Sequence, residues 1–291
     1  MKRRVLPFLF LMVFLWSASS AHSQDTENDV AYVAGGGGKQ QLDLYLPATT
    51  GFPTVLLIHG GSLQAGDRRE SPFPEVGKAF QRAGVACAVM SYRLQGESPW
   101  PAQPQDAAAA FAWLKKNIAS RGGDPRKVFV MGHSSGGHLT ALIASDPQFL
   151  RAHALSPNDV AGAIPMGVIL FDKETVDAME AAPPERLQRA FAGPFRPYGN
   201  IEGFKKAWPY SHVGAHLPRF LIVMGDAERF QPPILARAEE FANAARKHGI
   251  SVRIEVLPDR THNSAIAKMV EANDPAMRVV LEFIQQKGPT K

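Results

Sequence analysis

The chain has 291 residues, 45% of them apolar and 20% charged, a globular composition that excludes disorder. Three of its 32 basic residues, Lys2, Arg3 and Arg4, fall in the first 21 positions, which hold no acidic one, so the rest of the chain is close to neutral and bulk-charge recruitment of nucleic acid is excluded. The single cysteine, Cys87, excludes an internal disulfide framework and a cysteine-built zinc site.

Met1 to Arg4 is basic, Val5 to Trp16 is apolar apart from Pro7, and Ser17 to Ala21 offers small residues, with Ser19 and Ala21 where a signal peptidase reads. This order predicts a cleaved secretory leader over residues 1–21 and a periplasmic or secreted mature protein with no membrane attachment. As an anchor, the apolar run would reach only about 18 Å of a roughly 30 Å hydrocarbon core. The remaining residues suffice for one α/β domain.

Asp29–Val33 and Gln40–Leu46 alternate around Gly35-Gly36-Gly37-Gly38 and read as an antiparallel hairpin. The glycine run lacks the spacing of a phosphate loop. Thr54–Ile58, Val85–Ser91, Val128–Met131 and Phe220–Met224 are short apolar runs bounded by Gly, Pro or Asp, with Gly162–Ile169 and Val252–Leu257 as weaker members. Such runs suit a parallel sheet covered on both faces. Helical patterns at Pro104–Arg121, Ser135–Ala144, Ile234–His248 and Ala276–Lys287 alternate with them, Gly249 standing where a C-terminal cap belongs. The alternation predicts a doubly wound, mostly parallel sheet. Leu170–Leu217 is too long for a plain crossover and is rich in proline and aromatic residues. It predicts an insertion of two or three short helices, about residues 170–217, forming a lid over the sheet's carboxyl edge; the alternative, that its aromatics pack it onto the body, is compatible with a lid.

Gly132-His133-Ser134-Ser135-Gly136 follows one predicted strand and opens a predicted helix. In that context G-x-S-x-G projects its central serine from a strained turn, which nominates Ser134 as a nucleophile; the alternative is a glycine-rich helix cap. Ser135 is out of frame, because His133 would occupy its glycine position. After Ile58, His59-Gly60-Gly61-Ser62 offers a close-packed loop whose amides near Gly61 and Ser62, with that of Ser135, can converge as an oxyanion hole. His59 is expected to hold this loop by a side-chain hydrogen bond.

These residues, with Gly66-Asp67, Ser91-Tyr92-Arg93-Leu94, Pro101, Pro104, Asp106, Gly122-Gly123-Asp124-Pro125 and Gly137-His138, resemble the α/β-hydrolase fold carboxylesterases. Among them the chain is most similar to the bacterial HGG-type esterases grouped with feruloyl-esterase-like and kynurenine-formamidase-like enzymes, from about Gln40 to His262. It departs from the pattern at Leu63, where tryptophan is usual, and Ser62 replaces the third glycine of the hormone-sensitive-lipase branch. The resemblance implies an α/β-hydrolase fold, a serine esterase acting on a small-molecule ester, no metal or cofactor, and a pairing of Asp106 with Arg93. It also implies the order serine, acid, histidine. His262, past the strand Val252–Leu257, is then the expected base on a loop; His248 reads as a helix-terminal charge. The family pattern selects Glu228 as the acid. Asp226, nearer the strand end, is the alternative, and Asp172, otherwise a helix cap, is a distant third. Asp67 is expected to tie down the oxyanion loop. His212 and His216 share a four-residue spacing, but Pro209 and Gly214 argue against a metal-binding helix. Two rival readings keep the fold: an amidase or arylformamidase with the same triad, and a silent hydrolase fold used for binding.

Overall fold

The computed structural model describes residues 24–168, 173–193, 196–228 and 233–286. The expected leader, Asp172, Phe171 and Phe195 lie outside these residues. Among the described residues eight strands form one sheet: β1 (Asp25–Ala31), β2 (Gln41–Leu46), β3 (Phe52–Ile58), β4 (Ala86–Met90), β5 (Gly123–His133), β6 (Ala163–Met166), β7 (Phe220–Gly225) and β8 (Val252–Leu257). Their order is β1-β2-β4-β3-β5-β6-β7-β8. β2 runs antiparallel to β1 and β4, and every pairing from β4 to β8 is parallel. This is the doubly wound, mostly parallel sheet with an antiparallel hairpin expected from the sequence.

Strand alternation feeds two cores. Leu56, Ile58, Ala88, Met90, Val128 and Val130 face one, with Phe111, Leu114, Leu139 and Leu142 from helices α2 (Ala102–Asn117) and α3 (Ser135–Ser145). Val55, Leu57, Cys87, Val89, Phe129 and Met131 face the other, with Val76, Phe80, Val280 and Phe283 from helices on the opposite side. Those helices are α1 (Phe73–Arg82) and the C-terminal Pro275–Gln285. Burying both faces is why the central strands read as continuous apolar runs rather than alternating ones. Emptying one such position, Phe111→Ala for example, costs about 3–5 kcal/mol.

Order along the sheet fixes where a site can form. The crossover from β3 through α1 leads to β4 on one side, and the crossover from β4 through α2 leads to β5 on the other. The carboxyl ends of β3 and β5 therefore flank a topological switch point, the usual crevice for ligands in open α/β sheets.

The insertion contains α5 (Lys173–Glu180), α6 (Pro184–Ala192) and α7 (Ile201–Lys206), following the short α4 (Pro147–Arg151). Its Phe204, Trp208 and Met179 form a separate small core with Tyr198 and Phe191. This cluster docks on the body: the Tyr198 ring meets Trp100 at 5.1 Å and the Trp208 ring meets His138 at 5.2 Å. The described aromatics thus pack the insertion onto the body. The remaining helices are α8 (Pro233–Arg246), α9 (His262–Ala267) and α10 (Pro275–Gln285). Gly249, at φ +77°, closes the turn after α8; His248 lies in that turn, beyond the helix in which it was expected.

Candidate active site

The turn from β5 into α3 leaves no room for side chains. Ser134 sits at φ +56°, ψ −122°, a region costly for any residue with a Cβ. A Cβ on Gly132 would lie 2.2 Å from the Gly136 carbonyl oxygen, and one on Gly136 would lie 2.1 Å from that of Ile58. Both glycines are thus required by backbone contact. The Ser134 amide donates to the Met166 carbonyl (2.9 Å), pinning the turn to β6. Ser135 opens α3, and first-turn amides of a helix have no intrahelical acceptor.

The loop after β3 is equally constrained. Gly61, Ser62 and Leu63 have φ of +115°, +56° and +63°. His59 is buried, donates from Nδ1 to the Gly60 carbonyl (2.7 Å) and stacks on Tyr92 at 4.3 Å. Burial pushes it down to about 4, so it serves as a neutral donor, the structural part expected of it. The Leu63 amide donates to Ser135 Oγ (3.4 Å), so the Ser135 hydroxyl braces the loop. Below, Asp67 accepts from Lys39 Nζ (3.0 Å) and Ser91 Oγ (3.1 Å). Burial raises the Asp67 carboxyl, but these donors and the Arg69 amide hold it below the usual carboxylate range. The neighbouring Arg68 side chain is 3% exposed and bonds Asp43 at 3.0 Å; it also pairs with Asp29, at the bulge in β1. Asp67 thus ties the loop to the hairpin.

On the other side, Glu228 follows β7 and Asp226 stands two residues nearer the strand. Glu228 Oε1 accepts from the Gly225 amide (2.9 Å), and Oε2 lies 3.5 Å from His262 Nδ1. Its side chain is 1% exposed, against 41% for His262. Burial raises the Glu228 carboxyl, but hydrogen bonds from His262 and the Gly225 amide outweigh it and hold the group below its ordinary value. Asp226 is exposed and accepts from the Arg260 amide (3.2 Å). Backbone amides, that of Asp259 foremost, lower it. The structure therefore brings Glu228, and not Asp226, to the imidazole. His262 was expected on a loop; it is the first residue of α9, whose N-terminus is capped by Thr261 and Ser264.

Ser134, His262, His133, Gly60 and Gly61 line one cleft of about 490 Å³, with Glu70, Phe73, Asn263 and Ile266. Ser62 is exposed and stands outside that lining. Two residues that the sequence reading passed over touch the base. His133 Nε2 lies 2.8 Å from the His262 carbonyl. Gly167, at φ +58°, sits where a Cβ would be 3.0 Å from His262 Nδ1. A glycine inside the predicted strand Gly162–Ile169 was the available signal for the second. Elsewhere Arg93 forks onto buried Asp106 (2.7 and 2.9 Å), as the resemblance implied. His212 and His216 bond the carbonyls of Lys206 (2.9 Å) and Ser145 (2.7 Å). No group of three or more metal-ligating side chains occurs among the described residues, and no helix among them is long and apolar enough to cross a membrane.

A strained serine, a half-exposed imidazole and a buried carboxylate at a switch point are the parts of a nucleophilic site. Family comparison agrees: the BD-FAE profile matches residues 42–240. The chain belongs to the BD-FAE family. Similar curated proteins include the probable carboxylic ester hydrolase LipM of Mycobacterium tuberculosis, 29% identical over 67% of this chain and 45% of that one. Esterase LipQ of the same organism is 28% identical over 84% of this chain and 59% of its own. This BD-FAE chain thus spans about half the length of these relatives. Among solved structures, a truncated carbohydrate esterase from gut microbiota superposes with a TM-score of 0.71 at 21% identity, over 92% of this chain and 97% of that one. The fold is that of the α/β-hydrolase esterases.

Proposed function

We propose that the protein is a serine carboxylesterase. The observation that carries this reading is the meeting, in one cleft, of Ser134 on its strained turn with His262, whose Nδ1 faces the buried Glu228. In the proposed reaction His262 Nε2 takes the Ser134 proton as Oγ attacks the ester carbonyl carbon. The carbonyl electron pair moves to oxygen, and the backbone amides of Gly61, Ser62 and Ser135 stabilise that oxyanion, each donor being worth roughly 10²–10³ in rate. Collapse breaks the bond to the alkoxy oxygen, which leaves with the proton from Nε2. Water, deprotonated by the same nitrogen, then releases the acid. Glu228 keeps the proton on Nδ1 and stabilises the imidazolium; Asp226 bonds the base loop's backbone instead. The chemistry asks for no metal or cofactor.

The BD-FAE match and the esterase relatives support the bond type. The cleft volume, about 490 Å³, lies within the range for small-molecule sites. Hydrolysis of p-nitrophenyl acetate and butyrate tests the reading. Wild type is expected to turn both over, with Ser134→Ala at least about 10⁴-fold slower; equal rates in the two proteins would overturn it. Faster turnover of an aryl formamide than of any ester would move the assignment to the amidase class. We also propose that residues 1–21 are a secretory leader, which N-terminal sequencing of the exported protein tests: a start after Ala21 is expected, and a retained Met1 refutes it.

A further inference from the structure

His133 is the variable position of its pentapeptide, and nothing in the proposed reaction uses it. It is nevertheless buried, 5% exposed, at the carboxyl end of β5. Its Nε2 lies 2.8 Å from the backbone carbonyl of His262, 129 residues further along the chain. The two rings lie 4.6 Å apart at 43°. Burial, and then the neighbouring His262, push His133 down to about 4. At neutral pH the ring carries one proton, and a carbonyl acceptor selects the tautomer with that proton on Nε2.

We propose that His133 is a positioning residue: its Nε2–H anchors the His262 carbonyl and so registers the general base against the nucleophile, which is His133's own chain neighbour. The inference rests on the esterase reading. His262 begins a six-residue helix with its side chain 41% exposed, and its contact to Glu228 is a long 3.5 Å. Helix α9 alone gives it a weak foothold. His133, in contrast, is held by its pairing opposite Met166, and Gly60 packs so closely that a Cβ there would lie 3.1 Å from the His133 carbonyl oxygen. Gly167, directly after β6, backs the His262 ring. Because residues 133 and 134 share a peptide bond, a shift of the turn carries the anchor with it and leaves the spacing of serine and imidazole unchanged. A misplacement of about 1 Å costs on the order of 10² in rate.

The experiment compares His133→Leu, which has no donor, with His133→Gln, whose terminal amide reaches as far as Nε2, and His133→Asn, whose amide falls short. Steady-state kinetics on p-nitrophenyl butyrate and a thermal midpoint are measured for each. Leu is expected to lose roughly 10- to 100-fold in kcat with KM changed less than about threefold, Asn to resemble Leu, and Gln to recover most of the loss. A folded Leu variant with wild-type kcat, or equal kcat in folded Gln and Asn variants, overturns the proposal. If Leu does not fold, the Gln–Asn comparison decides alone. An inactive wild type, or one indifferent to Ser134→Ala, would sink the esterase reading itself.

Discussion

Along the Gly60–Gly66 wall of the cleft, His59, Tyr92, Ser91, Asp67 and Arg68 interlock beneath the surface, while across from it His262 stands 41% exposed at the start of a short helix. The first wall is fixed by backbone: three successive left-handed residues and glycines whose missing Cβ sites are filled by neighbouring main chain. The second is fixed by hydrogen bonds reaching in from separate strands, from Gly225 to Glu228 and from His133 to His262. The contrast follows from what each wall does in the proposed reaction. Donors that stabilise a developing charge act through preset direction, so they gain from rigidity. An imidazole that takes a proton from one oxygen and gives it to another needs an anchored backbone and a ring free to swing slightly.

Three substitutions or conditions sharpen this contrast. The largest effect is expected at the turn: Gly136→Ala places a methyl 2.1 Å from the Ile58 carbonyl oxygen and should cost about 3 kcal/mol or more, read by urea denaturation. A wild-type midpoint would mean that β3 and α3 separate easily and that this wall is not rigid. Next, Glu228→Gln should lower kcat by about 10³–10⁴ while Asp226→Asn stays within about threefold of wild type. The reverse pattern would transfer the acid role to Asp226.

Taken one residue at a time, the smallest effect is a pH dependence of stability. Burial, the largest cause in each case, holds His59, His133 and His138 near 4 in the folded protein, against an ordinary 6.5. Between those values the unfolded chain binds protons that the folded one refuses. Stability is therefore complete above about pH 6.5 and falls as pH drops toward 4, by up to about 1.4 kcal/mol per pH unit for each histidine. Denaturation midpoints from pH 7 to 5 measure the slope, and His59→Gln should remove one histidine's share. An unchanged slope would show that His59 titrates normally and that the first wall is open to water.

The sheet was legible because buried parallel strands are short apolar runs. The turn at Ser134 was legible because its glycines are obligatory. Other elements were hidden for identifiable reasons. Helix α1 carries Phe73, Val76 and Phe80 at helical spacing, but Gly77 interrupts it; that glycine is there because the Tyr45 ring lies 2.5 Å from where its Cβ would be. Helix α9 has only six residues, too few for a periodic pattern, and only its Thr261–Ser264 cap marked it. Strand β5 begins at Gly123, five residues before its apolar run, across the polar stretch Asp124–Lys127. At the site, Ser134, His262 and Glu228 were readable because their residue types are chemically restricted. His133 was not, since it acts through a backbone carbonyl and leaves no residue-type signature, and Gly167, which acts through absent bulk, showed only as a glycine within a predicted strand.

The run of left-handed dihedrals from Gly61 to Leu63, braced by Ser135 and the stacked His59 and Tyr92 rings, sets how a transition-state mimic is received. A loop already organised in the empty protein has no disorder to surrender on capture. A boronate entering this cleft should meet a finished mould, with the backbone of residues 61–63 in the same place before and after it arrives.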